Sequence, residues 1–238
     1  NRIIYYIRYN VNMDNNKLAL ERIALISKEF TEGFEFLKNY PKSVSVFGST
    51  KTKENEYDYK KAVSLSARII KELKHSIVTG GSSGIMEAAN KGAYEAGGNS
   101  IGLLIELPEG QPTNKYLTAS VAFHHFFVRK VCLAFSAEAY IFFPGGFGTL
   151  DEFAEILTLV QTAKIQRVPV ILVGVAYWTP LVNFFEEKLL KENKIDQDDL
   201  SLITLSDNDD QIIEIIKNTP VTFGVPRRHK PASPHFEI

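Results

Sequence analysis

The sequence predicts an α/β fold built on a doubly wound, mostly parallel sheet, and three observations lead there. Short runs of Val, Ile and Phe without polar alternation recur along the chain, as in strands covered on both faces. Between them lie segments with helical periodicity, and repeated strand–helix alternation calls for crossovers that leave neighbouring strands parallel. Two glycine clusters fall where a strand-like run gives way to a helix-like one, and sheets of this kind gather ligands beyond the carboxyl ends of their strands. The expected architecture is Rossmann-like, a single domain with an N-terminal helix and an extended C-terminal tail.

Taken in order, residues 17–39 place Leu18, Leu20, Ile23, Leu25, Ile26, Phe30, Phe34 and Leu37 close to helical spacing, and Pro41 ends that helix. Val44 to Phe47 is a strand running into Gly48-Ser49, and Ala62 to Leu73 a helix. Ile77 to Thr79 leads into Gly80-Gly81, and Ile85 to Ala96 is an Ala-rich helix. Ser100 to Ile105 and Thr118 to Ala122 are strand candidates, followed by a strongly apolar helix from Phe126 to Phe135. Ala139 to Phe143, Val168 to Val173 and Leu202 to Leu205 complete the strands; Leu150 to Gln161, Thr179 to Leu190 and Ile212 to Ile216 complete the helices. The chain thus divides into a helical extension (1–40), a Rossmann-like nucleotide-binding domain (41–218) and a Pro-rich tail (219–238). In the tail Pro220, Pro226, Pro231 and Pro234 stand beside Arg227, Arg228 and Lys230.

Bulk properties narrow the function. The 238 residues suffice for one large α/β core, and 45% hydrophobic with 23% charged residues is ordinary for a globular protein. A net charge of -1 supplies no general positive field for a nucleic-acid backbone, so nucleic acid is not the expected partner. The one cysteine, Cys132, sits in an apolar stretch and excludes a disulfide framework, which fits a reducing cytoplasm. No apolar run approaches the roughly 20 residues of a membrane span, and the start lacks the apolar core of a signal peptide.

The clusters Gly80-Gly81-Ser82-Ser83-Gly84 and Gly145-Gly146-Phe147-Gly148-Thr149 are the chemical signal. Glycines also serve tight βα turns in any α/β protein. A helix N-terminus, however, offers unpaired amides and partial positive charge, and glycine lets a phosphate approach the backbone; two such turns point to a phosphate site. Neither cluster carries the Gly-Lys-Ser/Thr of a P-loop or the Gly-x-Gly-x-x-Gly of a dinucleotide fold, so a mononucleotide is the simpler ligand.

The run Pro144-Gly145-Gly146-Phe147-Gly148-Thr149-Leu150-Asp151-Glu152 resembles the PGGxGTxxE signature of the LOG (Lonely Guy) family of phosphoribohydrolases, often mislabelled lysine decarboxylases. The resemblance extends from Val44 to about Leu205. It includes Phe47-Gly48-Ser49, Gly80-Gly81, Gly84-Ile85-Met86-Glu87-Ala88-Ala89-Asn90, Arg129-Lys130 and Tyr177-Trp178. It implies release of a free base and ribose 5-phosphate from AMP or an N6-modified AMP such as a cytokinin riboside monophosphate. It also implies a homodimer with its site near the subunit interface and no cofactor.

Individual residues support two readings each. Thr149-Leu150-Asp151-Glu152 fits a capping box, in which Glu152 only closes a helix start. The resemblance makes Glu152 catalytic instead, a carboxylate near the anomeric carbon of an oxocarbenium-like transition state. Arg129 and Lys130 interrupt an apolar helix and need a partner, structural or ligand. The resemblance implies a catalytic Arg129 and both residues as nucleotide contacts, although Phe127 stands where many relatives carry histidine. Glu87 suits a first helical turn without any ligand, and the resemblance makes it a binding residue. Substrate contacts are further expected at Gly48, Ser49, Gly80, Gly81, Ser82, Gly145, Gly146, Phe147, Gly148, Thr149, Leu150, Asp151 and Thr158. Ser82 and Ser83 replace a glycine and proline common in relatives. His124 and His125 are adjacent and lack partners at metal-ligand spacing, so no metal is expected. The competing classes are a noncatalytic nucleotide or pterin-cofactor carrier, and a decarboxylase, for which no pyridoxal constellation is apparent.

Overall fold

The computed structural model describes residues 15–107 and 113–219. Most of the expected C-terminal tail, from residue 220 on, and the first fourteen residues lie outside that range. Along the chain run α1 (Asn15–Leu37), β1 (Ser43–Phe47), α2 (Tyr57–Arg68), β2 (Ser76–Thr79), α3 (Ile85–Glu95), β3 (Ser100–Ile105) and β4 (Ala119–Phe123). Then follow α4 (Phe126–Ala134), β5 (Ala139–Phe142), α5 (Phe147–Gln161), β6 (Val170–Leu172), α6 (Val175–Phe184), α7 (Gln197–Leu200), β7 (Ile203–Leu205) and α8 (Asp209–Lys217). Single π-helical stretches extend α2 through Leu73 and α6 through Leu190.

The strands form one sheet in the order β4-β3-β2-β1-β5-β6-β7, and every described pairing is parallel. The chain builds outward from β1 to β4, returns to the centre at β5, and builds outward the other way. β1 and β5 are therefore the switch point, where loops depart in opposite directions and leave a crevice. Their ends are level, Phe47 standing beside Phe142.

Successive side chains of each strand feed opposite layers. Along β5, Ala139, Ile141 and the following Phe143 join a core with Ala62, Leu65, Ala88, Ala93 and Ile212 of α2, α3 and α8. Tyr140 and Phe142 join the other core, with Leu37 of α1, Val128 and Cys132 of α4, Phe153 and Ile156 of α5, and Trp178 of α6. Two covered faces explain why these strands read as unbroken apolar runs. β4 departs from that expectation: at the sheet edge it alternates, with Ser120 and Ala122 exposed and Phe123 buried. Among the described residues no helix is long and apolar enough to cross a membrane.

Two boundaries differ from the expectation with consequences for the site. α6 starts at Val175 rather than Thr179, which brings Tyr177 into its first turn. α5 starts at Phe147 rather than Leu150, because Gly146, extended at φ -88° and ψ -157°, is its N-cap. Thr149 is thus inside the helix, and the capping-box reading of Thr149–Glu152 is not realised.

Candidate functional site

The switch point is closed at its base by backbone bonds. Ser49 N–H donates to Pro144 O at 3.0 Å, joining the turns after β1 and β5. Ser49 O accepts from Ile85 N at 3.0 Å, and its Oγ accepts from Lys51 N at 3.0 Å. Gly48 lies under Ile85, where a Cβ would come within 2.7 Å of its side chain. Gly48 and Ser49, expected as ligand contacts, are thus engaged in seating α3.

The turn after β2 is equally closed. Gly81 has φ +74°, and a Cβ there would sit 2.2 Å from Leu104. Its N–H donates to Thr79 Oγ1 at 2.9 Å, and Thr79 Oγ1 donates to Asn90 Oδ1 at 2.6 Å. Asn90, fully buried, also donates through Nδ2 to Ser100 Oγ at 2.9 Å. Asn114 donates to Asn90 Oδ1 at 2.9 Å and to Ser82 O at 3.0 Å, while its own N–H reaches Gly81 O at 2.9 Å. A satisfied buried network of this kind fixes one loop conformation. Gly80 and Ser82 are both buried in it, and Ser83 Oγ donates to Thr50 O at 3.0 Å.

The turn after β5 is different. Gly146 and Gly148 face open space, and Phe147 is 91% exposed. The amides of Phe147 and Gly148 belong to the first turn of α5 and have no acceptor within the helix. Gly145 is required to be glycine, since a Cβ would lie 2.1 Å from Thr149 Oγ1; its carbonyl accepts from Tyr177 Oη at 2.6 Å. Buried Thr149 fills the space beneath the turn. Leu150 packs on the core. Thr158 is exposed, two turns beyond Asp151, and its hydroxyl donates to Ala154 O at 2.8 Å, so it stands apart from the turn.

The charged residues converge here. Arg129, on α4, places Nη1 where a Cβ on Gly80 would be 3.2 Å away, and stacks its guanidinium 5.7 Å over the exposed Phe126 ring. It also acts electrostatically on Glu152 of α5. Glu152 is 7% exposed, and burial pushes its carboxyl up to about 7, against the opposing pull of Lys130 and Arg129 and with the help of Glu155 and Asp151. Burial likewise lowers the Arg129 guanidinium, which Glu152 partly offsets. Among the described residues, Arg129 Nε and Glu152 Oε2 are buried without a hydrogen-bond partner. Buried polar atoms are almost always bonded, so two open ones on facing helices at the switch point make this the candidate site.

Lys130 is held at 2.7 Å by Asp151 and at 3.0 Å by Glu155. Burial would lower its ammonium, but those two ion pairs more than offset it and the pKa rises. Glu87 accepts from Tyr59 Oη at 3.2 Å; burial, then Glu87, raises the Tyr59 phenol. The structure therefore brings together Gly80, Arg129, Lys130, Asp151 and Glu152 around the open end of α5. Sequence reasoning missed Tyr59, Thr79, Asn114 and Glu155. Only Glu155 had a legible signal, sharing a helical face with Asp151. Among the described residues no group of three or more His, Cys, Asp or Glu side chains could hold a metal.

A single parallel sheet in the order β4-β3-β2-β1-β5-β6-β7, covered by helices on both faces, defines the class of Rossmann-like α/β proteins. A family model described as "Possible lysine decarboxylase" matches residues 86–216, and the chain belongs to this family, the LOG family of the signature from Pro144 to Glu152. Among its relatives is a cytokinin riboside 5'-monophosphate phosphoribohydrolase of Rhodococcoides fascians, 31% identical over 61% of this chain and 75% of the relative. One of Arabidopsis thaliana is 28% identical over 64% and 68% of the two chains. Among solved structures, the Moco carrier protein of Chlamydomonas reinhardtii superposes with a TM-score of 0.54, at 26% identity, covering 74% of this chain and 95% of that one.

Proposed function

We propose that the protein hydrolyses the N-glycosidic bond of a nucleoside 5′-monophosphate, AMP or an N6-modified AMP, to free base and ribose 5-phosphate. The observation that carries this reading is Glu152: a buried carboxyl, open on Oε2, poised near 7 beside Arg129 and the unpaired amides of α5. The 5′-phosphate would lie on the amides of Phe147 and Gly148, where glycine neighbours leave room. Ionised Glu152 would steady positive charge growing at C1′ and take a proton from the attacking water as the C1′–N bond breaks and C1′–O forms; passed on to the nitrogen of the departing base, that proton lets it leave neutral and returns Glu152 to its ionised form. An acid titrating near neutral pH suits such a role. Arg129 keeps part of that carboxyl ionised and offers its unpaired Nε to the nucleotide.

A carrier reading is favoured by the structural likeness to the Moco carrier protein. It gives no use for a carboxyl buried at the energetic cost that lifts Glu152 so far. Decarboxylation through a Schiff-base lysine needs an amine of depressed pKa, whereas Lys130 is raised by two carboxylates. The test is incubation with AMP, isopentenyl-AMP, GMP and CMP, with chromatography for base and ribose 5-phosphate. Glu152→Gln is expected to bind nucleotide as before and to lose roughly 10²–10³-fold in turnover, the usual scale for an acid–base group. Unchanged turnover removes Glu152 from the mechanism; nucleotide binding with no base released by the unaltered protein favours the carrier.

A further inference from the structure

Arg129 stands one turn into α4, and that turn is held from outside the sheet. His125 is the N-cap residue of α4, at φ -98° and ψ 122°, and its own side chain makes no capping bond. A residue of α1 supplies one instead. Glu29, 7% exposed, accepts the His125 backbone N–H on Oε2 at 3.1 Å and lies 3.1 Å from His125 Nδ1 through Oε1. At that distance an Nδ1–H donates to a carboxylate oxygen. Negative charge at this end of a helix is favoured by the helix dipole.

The carbonyl of the same His125 accepts the Arg129 N–H at 3.2 Å. One residue thus has its amide and ring fixed by Glu29 while its carbonyl closes the turn that presents Arg129. α1 lies close enough for this because of Gly33, where a Cβ would be 2.7 Å from Cys132 Sγ and 2.8 Å from the Phe123 ring. Further along, Phe34 meets Phe135 edge-on at 6.2 Å, beyond the opposite end of α4. α1 precedes residues 86–216 of the family match, so this support is additional to the matched region.

We propose that Glu29 is a positioning residue of the nucleotide site, capping α4 through His125 so that Arg129 is held between Gly80 and Glu152. The kinetic consequence rests on the phosphoribohydrolase reading, and a second measurement does not. In the full chain, Glu29→Ala is expected to lower kcat on AMP roughly tenfold to a hundredfold, the cost of a misplaced catalytic group. KM should stay within about threefold, since the phosphate turn is untouched. Glu29→Gln, which keeps an acceptor oxygen but loses the charge, should fall between. Phe34→Ala loosens the same helix at its far end and should lower the unfolding temperature without lowering kcat.

Independently of turnover, the Glu152 carboxyl can be titrated by NMR with carbon-13-labelled glutamate. Arg129 holds that carboxyl down, facing it from α4 together with Lys130, while Asp151 and Glu155 face it from α5. Arg129→Met should move the titration upward, Glu29→Ala should move it the same way, and the double variant should add little more. If the unaltered protein cleaves no nucleotide, the phosphoribohydrolase reading fails while the titration still decides the role of Glu29. If Glu29→Ala, or Glu29→Gln should the former not fold, behaves like Phe34→Ala in both measurements, Glu29 only fastens α1 and the inference is overturned.

Discussion

The two glycine turns look alike in sequence and do opposite work. After β2, Gly81 and Gly84 are glycines because nothing else fits: both have positive φ, and a Cβ on either would strike a neighbour at 2.2 Å. The Gly81 amide of that turn donates to Thr79, and the Gly81 and Ser82 carbonyls accept from Asn114. After β5, Gly146 and Gly148 have empty space on the side where a Cβ would project, and their neighbour Phe147 is almost fully exposed. The first turn is packed and bonded into the fold, whereas the second is open on the side its glycines face. A glycine cluster at a strand–helix junction is therefore not itself a site; what matters is whether its backbone is packed over or left open.

The contrast can be broken first at Gly84. Its φ of +69° is strained for any L side chain, and a Cβ would lie 2.2 Å from Ser49 O and 2.6 Å from the Thr50 carbonyl carbon. Adding the backbone and overpacking terms, Gly84→Ala is expected to cost about 3–5 kcal/mol, enough to unfold much of the protein near 37 °C. Chemical denaturation monitored by circular dichroism measures this. A loss under about 1 kcal/mol would show that the β2 turn is as accommodating as the β5 turn.

Glu152 offers the next largest effect. Its folded pKa, about 7, lies above the ordinary value of 4.5. Below the lower value both states are protonated and the group contributes no difference. As pH rises from there to 7 the unfolded chain ionises first, so folding stability falls, by up to about 3 kcal/mol, and then levels off. Glu152→Gln cannot ionise and should be more stable than the unaltered protein at pH 8, with the gap closing near pH 4. Thermal unfolding across that range checks the sign; a gap independent of pH would mean that Glu152 is not held up by burial. A stabilising loss of the proposed catalyst is the pattern of a site kept for function at a cost to folding.

How much of this was legible depends on how far apart the partners lie. Glu152 was singled out by the signature that Pro144 to Glu152 resembles, whereas Arg129 could be singled out locally, as a charge in an apolar, helix-forming run that needs a partner wherever it folds. The strands were legible for the same local reason, but their order was not, since pairing β1 with β5 joins residues nearly a hundred positions apart. The Asn114 side chain bonds to Asn90 across 24 positions and Glu29 to His125 across 96, and no pattern within a helix or loop announces either. The capping box was a local inference that failed locally: Thr149 and Glu152 have the right spacing, but Gly146 takes the extended N-cap conformation three residues earlier. Glycine before a helix is itself an acceptable cap, and the more familiar pattern concealed it.

The smallest effect sharpens the comparison most. Gly146 has an ordinary negative φ of -88°, and a Cβ there meets nothing within 4 Å. Gly146→Ala meets no clash and should cost only about 0.5–1 kcal/mol, the scale of replacing a helix cap by alanine. The added methyl stands where a phosphate would approach the first amides of α5, so AMP binding should weaken by about tenfold, near 1.4 kcal/mol. Isothermal titration with AMP, paired with a denaturation curve, reads both numbers on one sample. Equal affinity would move the phosphate off this turn and leave its open glycines without a purpose in binding, while a large loss of stability would mean that both turns are closed. A weakened ligand with an unchanged fold is the one result that separates a turn built for the protein from a turn built for what it binds.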